Sequence, residues 1–387
     1  MNTANSCCNS FAGYEYFGVQ FTSESVCARV CVSNAVSVFL TGDFCNWQQG
    51  VPMSLVKDGI WECEIARDVL FEGCKYKYRV LMHDGAELFV ADPYEACSEG
   101  RGGFASVVCD LNTYEWHDTT WLEYSKEYKR ELYKKPLSIY KLSADLWRVG
   151  AGGDPLDYVH LATELSSYVK QLGCTHVELD PLSLRGDDAY VSYFAPRTAQ
   201  GTPHELMKFV DTMHEAGVGV IFDLPISDGQ ALPASDVCAF WLDKYHADGL
   251  CVGAIGIKLA EGLREKFPHA ILIGSDSDNA DAFDLFCDTD PDSRSCTGRV
   301  LSLCSYEAFV QSSSEDRVEQ LENMRAAFEE LMVFPCKKLI IMGSEIGDAC
   351  ASLDGGVDWS LLGDREHAEF QKYVAELGQK YLCTPQP

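Results

Sequence analysis

The sequence predicts an α/β protein in which an N-terminal β-sandwich precedes an eight-stranded (β/α)8 barrel of the TIM type. Three observations carry that expectation. The chain has 387 residues, enough for a module of about 100 residues and a barrel of about 250. From Gly18 to Asp110 the pattern is short alternating runs broken by turn signals. After Pro136 it changes to apolar strand-like runs alternating with amphipathic helical ones.

The sandwich runs are "SVFLTGDFCNW", "GIWECEIA", "YKYRVLM", "HDGAELFV" and "FASVVCDL". A strand about every ten residues, with Gly, Asp or Asn between, is the pattern of an all-β sandwich. Trp61 in "GIWECEIA" is read as core packing. Residues 1–11 are read as a polar tail, 12–118 as the sandwich, 119–135 as a charged, aromatic linker without strand alternation, and 136–387 as the barrel.

In the barrel half, "SIYKLS" is strand-like. "LATELSSYVKQLG" puts Leu161, Leu165, Tyr168, Val169 and Leu172 on one helical face before Gly173 ends it. "THVELD" is the next strand. In "TPHELMKFVDTMHEAG", Thr202 is placed as N-cap, Pro203 at the first helical position and Glu205 as the capping-box partner. "VGVIFDLP", "GLCVGAI", "AILIGS", "AFDLFCD", "RVLSL" and "KKLIIMGS" bring the strands to the number a (β/α)8 barrel requires.

Composition narrows the partners. With 31 basic and 59 acidic residues the formal net charge is -28, which repels phosphate backbones and anionic lipid surfaces; nucleic acid and membrane partners are not expected. Apart from the adjacent Cys7 and Cys8 in the polar tail, the 18 cysteines are scattered singly with no CxxC pair, as buried reduced thiols are. The N-terminus lacks the basic and apolar regions of a signal peptide. A cytoplasmic location is expected, with no cofactor. No metal site is expected either, since the acidic "SDSDNADAFD" lacks the spacing of a calcium loop.

The motifs "TGDFCNW", "GIWE", "YKYRV" and "ADPY" resemble a family 48 carbohydrate-binding module. "PLSIYKLSADLWR", "YVKQLGCTHVELDPL", "YFAPRTAQGTPHELMKFVDTMHEAGVGVIFD", "FWLDKYHADGL", "FPCKKLIIMGSEIG" and "GVDWSLL" are similar to the α-amylase-type (glycoside hydrolase family 13) barrel of the 1,4-α-glucan (glycogen or starch) branching enzymes. The likeness runs in order over nearly the whole chain. It implies retaining glycosyl transfer, which needs a carboxylate nucleophile and a carboxylic acid at the C-terminal ends of barrel strands.

Those groups are missing where the resemblance places them. The fourth strand has Cys251 and Gly253 in place of an Arg and the nucleophilic Asp. Ser275 stands in place of the acid Glu, and Ser305 and Tyr306 in place of a His-Asp pair. Asp228 replaces a His after the third strand, while Asp223 is kept. The neighbours Asp276 and Glu307 are one residue out of phase, which turns a strand residue to the other face. The segment 289–298 is short and polar for a barrel helix, and the family's C-terminal β-domain is expected to be absent.

The expectation is a degenerate, trimmed barrel with no catalytic residues, a pseudoenzyme that keeps Tyr190 and Asp223 as remnants of the sugar pocket. For the module, the resemblance implies glucan contacts at Trp47, Lys77 and, in place of a second Trp, Phe89; packing is the alternative for Trp47. Two non-catalytic roles stay open: an α-glucan-binding component, or a structural subunit of a larger protein assembly that binds no sugar. An active branching enzyme is the third reading.

Overall fold

The computed structural model describes residues 11–100, 102–150, 152–185, 190–226, 232–253, 255–274, 283–288, 299–302, 317–333, 336–348 and 352–385. These group into two compact units.

The first unit is built on the sandwich. Its strands are β1 (Gly18–Phe21), β2 (Ser25–Cys31), β3 (Ala35–Gly42), β4 (Val51–Pro52), β5 (Ser54–Lys57), β6 (Ile60–Ala66), β7 (Lys75–Met82), β8 (Glu87–Val90), β9 (Cys97–Ser98) and β10 (Ser106–Val107). One sheet runs β1-β2-β6-β5 and the other β4-β3-β7-β10-β9, with β8 added on β7. The two-residue period turns Val26, Ala28 and Val30 of β2, Val38 and Leu40 of β3, Trp61, Cys63 and Ile65 of β6, and Tyr76, Tyr78 and Val80 of β7 into one buried core. Trp61 packs there as expected, its indole N–H donating to the Val32 carbonyl.

Asp92, almost fully buried, accepts the hydroxyls of Tyr76 at 2.8 Å and Tyr78 at 2.9 Å. That gives the polar ends of two core aromatics a partner. The unit also includes Pro181–Met207 and Asp228–Tyr245. Within it lie the hairpin β13 (Leu182–Arg185) with β14 (Tyr190–Pro196), and helix α4 (Ala234–Lys244), whose Asp236 accepts Gly13 N at 3.1 Å and the Tyr94 hydroxyl at 3.1 Å.

The second unit holds the barrel. β11 (Ser138–Lys141), β12 (His176–Leu179), β15 (Gly219–Leu224), β16 (Gly249–Val252), β17 (Ile271–Gly274), β18 (Leu285–Asp288), β19 (Arg299–Ser302) and β20 (Lys337–Ile341) form a closed ring of parallel strands. These are the eight runs expected. Buried on both faces, such strands read as apolar runs without alternation. The helices α2 (Tyr158–Gln171), α3 (Pro203–Glu215), α5 (Ile257–Lys266), α6 (Arg317–Val333) and α7 (Arg365–Leu382) follow strands as expected. The capping box forms: Thr202 N donates to Glu205 Oε2 at 2.6 Å and Glu205 N to Thr202 Oγ1 at 3.3 Å.

The stretch 119–135, read as a linker, is different. It contains helix α1 (Thr119–Arg130), and Tyr128 and Leu132 join Leu137, Ile139, Ile221, Ile271, Ile273, Leu285 and Leu339 in the barrel core. Trp121, Tyr124 and Tyr128 recur at three- and four-residue intervals on one helical face, with ring centroids 5.2 and 5.9 Å apart. Aromatics among many charges hid an amphipathic helix. Twelve cysteines among the described residues are free thiols, seven of them buried, and no described helix is long and apolar enough to cross a membrane.

Candidate functional site

Barrel chemistry belongs at the C-terminal ends of the strands, and there β11, β12, β15 and β16 turn Lys141, Glu178, Asp223 and Cys251 toward one another. Lys141 pairs in register with Glu178, and Asp223 with Cys251. The Lys141 ammonium donates to Glu178 Oε1 at 2.6 Å and to Asp223 Oδ2 at 2.6 Å. Glu178 is fully buried, and its Oε2 has no N–H or O–H donor. Burial pulls the Lys141 ammonium down, but Glu178 and Asp223 outweigh it and hold Lys141 protonated far above the usual lysine range. Burial pushes the Glu178 carboxyl up, with Lys141 opposing. One lysine is therefore ion-paired with two carboxyl groups in a partly desolvated mouth.

The ligand atoms of Glu178, Asp223 and Cys251 lie within 4.8 Å of one another. A dication could bridge such a set, yet Lys141 already provides its positive charge. Gly253 follows β16; a Cβ added there would come within 3.2 Å of the Ile226 carbonyl oxygen. Asp223 lies at the C-terminal end of β15. The side chain of Tyr190 and the residues Asp228, Ser275, Asp276, Ser305, Tyr306, Glu307 and 289–298 lie outside the described residues. Sequence reasoning missed Lys141 and Glu178. The signal was two charged residues inside otherwise apolar strand runs.

On the sandwich, Trp47 ends a turn whose Asn46 and Trp47 both take left-handed backbone conformations, φ 52° and 59°. A tryptophan at positive φ is sterically costly and persists only where its surroundings hold it. The holding contacts are Trp47 N to the Gly42 carbonyl at 2.9 Å and Trp47 Nε1 to Asp43 Oδ1 at 2.8 Å. The indole is left 38% exposed, with Lys77 Nζ 5.9 Å from its ring centroid. Lys77 and Arg79 share the outer face of β7, and Arg79 stacks over Phe39 at 4.9 Å.

Phe89, 53% exposed, pairs opposite Arg79 on β8. The structure therefore joins Trp47 to Lys77 and places Phe89 one step along the same face. Phe39 and Arg79 complete that strip. They were missed because Phe39 sits out of phase with the core residues Val38 and Leu40, in a run that reads as uniformly apolar.

At the opposite end of the barrel lies a second cluster. His214 Nδ1 is 3.0 Å from Asp118 Oδ2 and its Nε2 3.0 Å from Asp248 Oδ2, while His246 Nδ1 is 2.9 Å from Asp118 Oδ2. Trp121 Nε1 donates to Asp248 Oδ1 at 2.8 Å. Burial lowers the His214 imidazolium, but Asp248 and Asp118 raise it to about 9 from an ordinary 6.5. A raised folded pKa contributes stability that is complete below 6.5 and is lost as pH rises through about 9. Burial holds neighbouring His176 down at about 4, so it is neutral throughout that window. In urea denaturation, His214→Gln is expected to flatten the loss of stability between pH 6.5 and 9 relative to the parent chain; an unchanged slope would count against a charged His214.

Known proteins match these features. Residues 16–95 match the family model of carbohydrate-binding module 48 (isoamylase N-terminal domain). The 1,4-alpha-glucan branching enzyme GlgB of Geobacillus stearothermophilus is 27% identical over 96% of this chain and 76% of that enzyme. Over most of its length the chain is similar to 1,4-α-glucan branching enzymes. Another branching enzyme of the same name, from Pseudomonas aeruginosa, is 30% identical over 94% of this chain and 65% of its own length. A pullulanase from Paenibacillus barengoltzii, solved with maltohexaose and α-cyclodextrin, superposes with a TM-score of 0.70 at 16% identity, covering 97% of this chain and 82% of that one. The last likeness is one of fold. It gives this branching-enzyme relative the sandwich-plus-barrel architecture of glucan-active enzymes.

Proposed function

We propose that this branching-enzyme relative binds α-glucan through its sandwich module and does not itself transfer glycosyl units. The observation that carries the second half is Gly253. It follows the fourth barrel strand where the resemblance calls for the nucleophile, and glycine has no group that could hold a glycosyl unit covalently. Lys141 supports the same reading, because it ties Asp223 and Glu178 into an ion-paired cluster.

The first half rests on the strip of Trp47, Lys77 and Phe89. Sugars present C–H faces that stack on aromatic rings and hydroxyls that take donors, and this face offers both. Trp47 is held out by its own backbone and by Asp43, so little side-chain freedom is lost on binding. Co-sedimentation with glycogen tests it. Trp47→Ala is expected to weaken retention about 10- to 30-fold, the effect of truncating an aromatic anchor. Absence of retention of the parent chain on glycogen, amylose and amylopectin alike would sink the reading.

A further inference from the structure

Two groups of side chains among the described residues bring three metal-ligating atoms within 4.8 Å of one another. In the barrel mouth, Lys141 already supplies the cation. The other group is Glu72, Cys109 and His204, all in the sandwich unit. There, no described lysine or arginine is ion-paired with Glu72.

Local structure prepares each donor. Glu72 lies in the turn between β6 and β7 and accepts Asp110 N through Oε2 at 3.0 Å. Cys109 follows β10; its neighbour Val108 points into the sandwich core, and the Cys109 sulfur lies within 4.8 Å of the Glu72 carboxylate. His204 is in the first turn of α3, with Nε2 3.1 Å from the Asp110 carbonyl oxygen and 3.2 Å from Thr113 Oγ1.

The tautomer of His204 follows from those contacts. A carbonyl oxygen only accepts, and the Thr113 hydroxyl gives its own hydrogen to the Asp110 carbonyl at 2.8 Å. Nε2 must therefore carry the hydrogen, which leaves the lone pair on Nδ1. A histidine whose outer N–H is anchored on a backbone carbonyl is arranged as metal-binding histidines are. Tyr114 stacks on the ring at 6.4 Å and 15°.

We propose that Glu72, Cys109 and His204 form a binding site for a divalent transition metal of the zinc class. A thiolate, an imidazole and a carboxylate suit Zn2+ and its Co2+ substitute, whereas calcium and magnesium take all-oxygen shells. The ligand atoms that lie together are those of Glu72, Cys109 and His204, which leaves a fourth position to solvent. On binding, the Cys109 S–H bond breaks, the sulfur bonds to the metal and the proton leaves to solvent.

Co2+ titrated into the reduced full chain tests the site. A thiolate-to-cobalt charge-transfer band is expected to saturate near one equivalent and to disappear when Zn2+ is added. Cys109→Ser should abolish it, and His204→Gln, whose amide can still donate to the Asp110 carbonyl, should weaken binding at least about tenfold. Cys383→Ser, at an exposed cysteine, should leave it unchanged. No band in the parent chain, or a band of parental affinity in His204→Gln, overturns the proposal, and the second result does so even if Cys109→Ser fails to fold.

Discussion

Incubated with amylose, the purified chain is expected to leave the chain-length distribution of the glucan unchanged, and Gly253→Asp is not expected to restore branching. Retaining transfer needs nucleophile and acid together. In sets that act as a unit, loss of one member already costs about 10^4 to 10^6 in rate, so returning one to a site without the others recovers almost nothing. Ser275 and Tyr306 stand where the resemblance calls for the other carboxylates. An aspartate at 253 would also crowd the Ile226 carbonyl, 3.2 Å from its Cβ. Debranched product analysis by chain length decides the matter. New α-1,6 branches made by the parent chain would refute the non-catalytic reading.

Lys141→Met is expected to cost about 3–5 kcal/mol of folding stability at pH 7, because it strips the partner from a buried carboxylate. Glu178 has a side chain with no exposed surface, and Lys141 is its only ion-pair partner among the described residues. Burial already raises the Glu178 carboxyl above its ordinary 4.5, and without Lys141 it must rise further. Between 4.5 and that raised value the native state takes up a proton that the unfolded chain does not, so the variant loses stability as pH rises. The deficit should therefore be greatest at pH 7 and above and shrink toward pH 4.5. Adding Glu178→Gln should recover most of the loss, since a neutral amide needs no counter-ion. Denaturation of the two single variants and the double variant measures this; additive losses would exclude the coupling.

Much of the fold is legible in the chain. The eight barrel strands are visible because a parallel strand buried on both faces is an unbroken apolar run, as in "AILIGS" and "KKLIIMG". The start of α3 is visible because a capping box is a local hydrogen-bond pattern with a fixed spacing. Helix α1 is not, because of its aromatic residues Trp121, Tyr124 and Tyr128 only Tyr128 is buried and Tyr124 stays exposed, a pattern that local sequence cannot tell from a solvated aromatic connector. Packing under the barrel decides it.

The site divides in the same way. Short motifs are enough for the resemblance to single out Trp47, Lys77 and Gly253. The ion-paired mouth is not, because Lys141, Glu178 and Asp223 come from three strands, the two partners 37 and 82 positions from the lysine in the chain. The cluster of Glu72, Cys109 and His204 is equally dispersed along the chain.

The sequence by itself determines the order of elements and the sandwich core, since each depends on residues adjacent or periodic in the chain. Tertiary structure alone decides that Lys141 pairs with two carboxyl groups, that 119–130 closes on the barrel core as a helix, and that Pro181–Met207 joins the sandwich unit. Charge compensation and ligand geometry act through space over a few ångströms. Sequence spacing carries no record of that distance until the strands are paired.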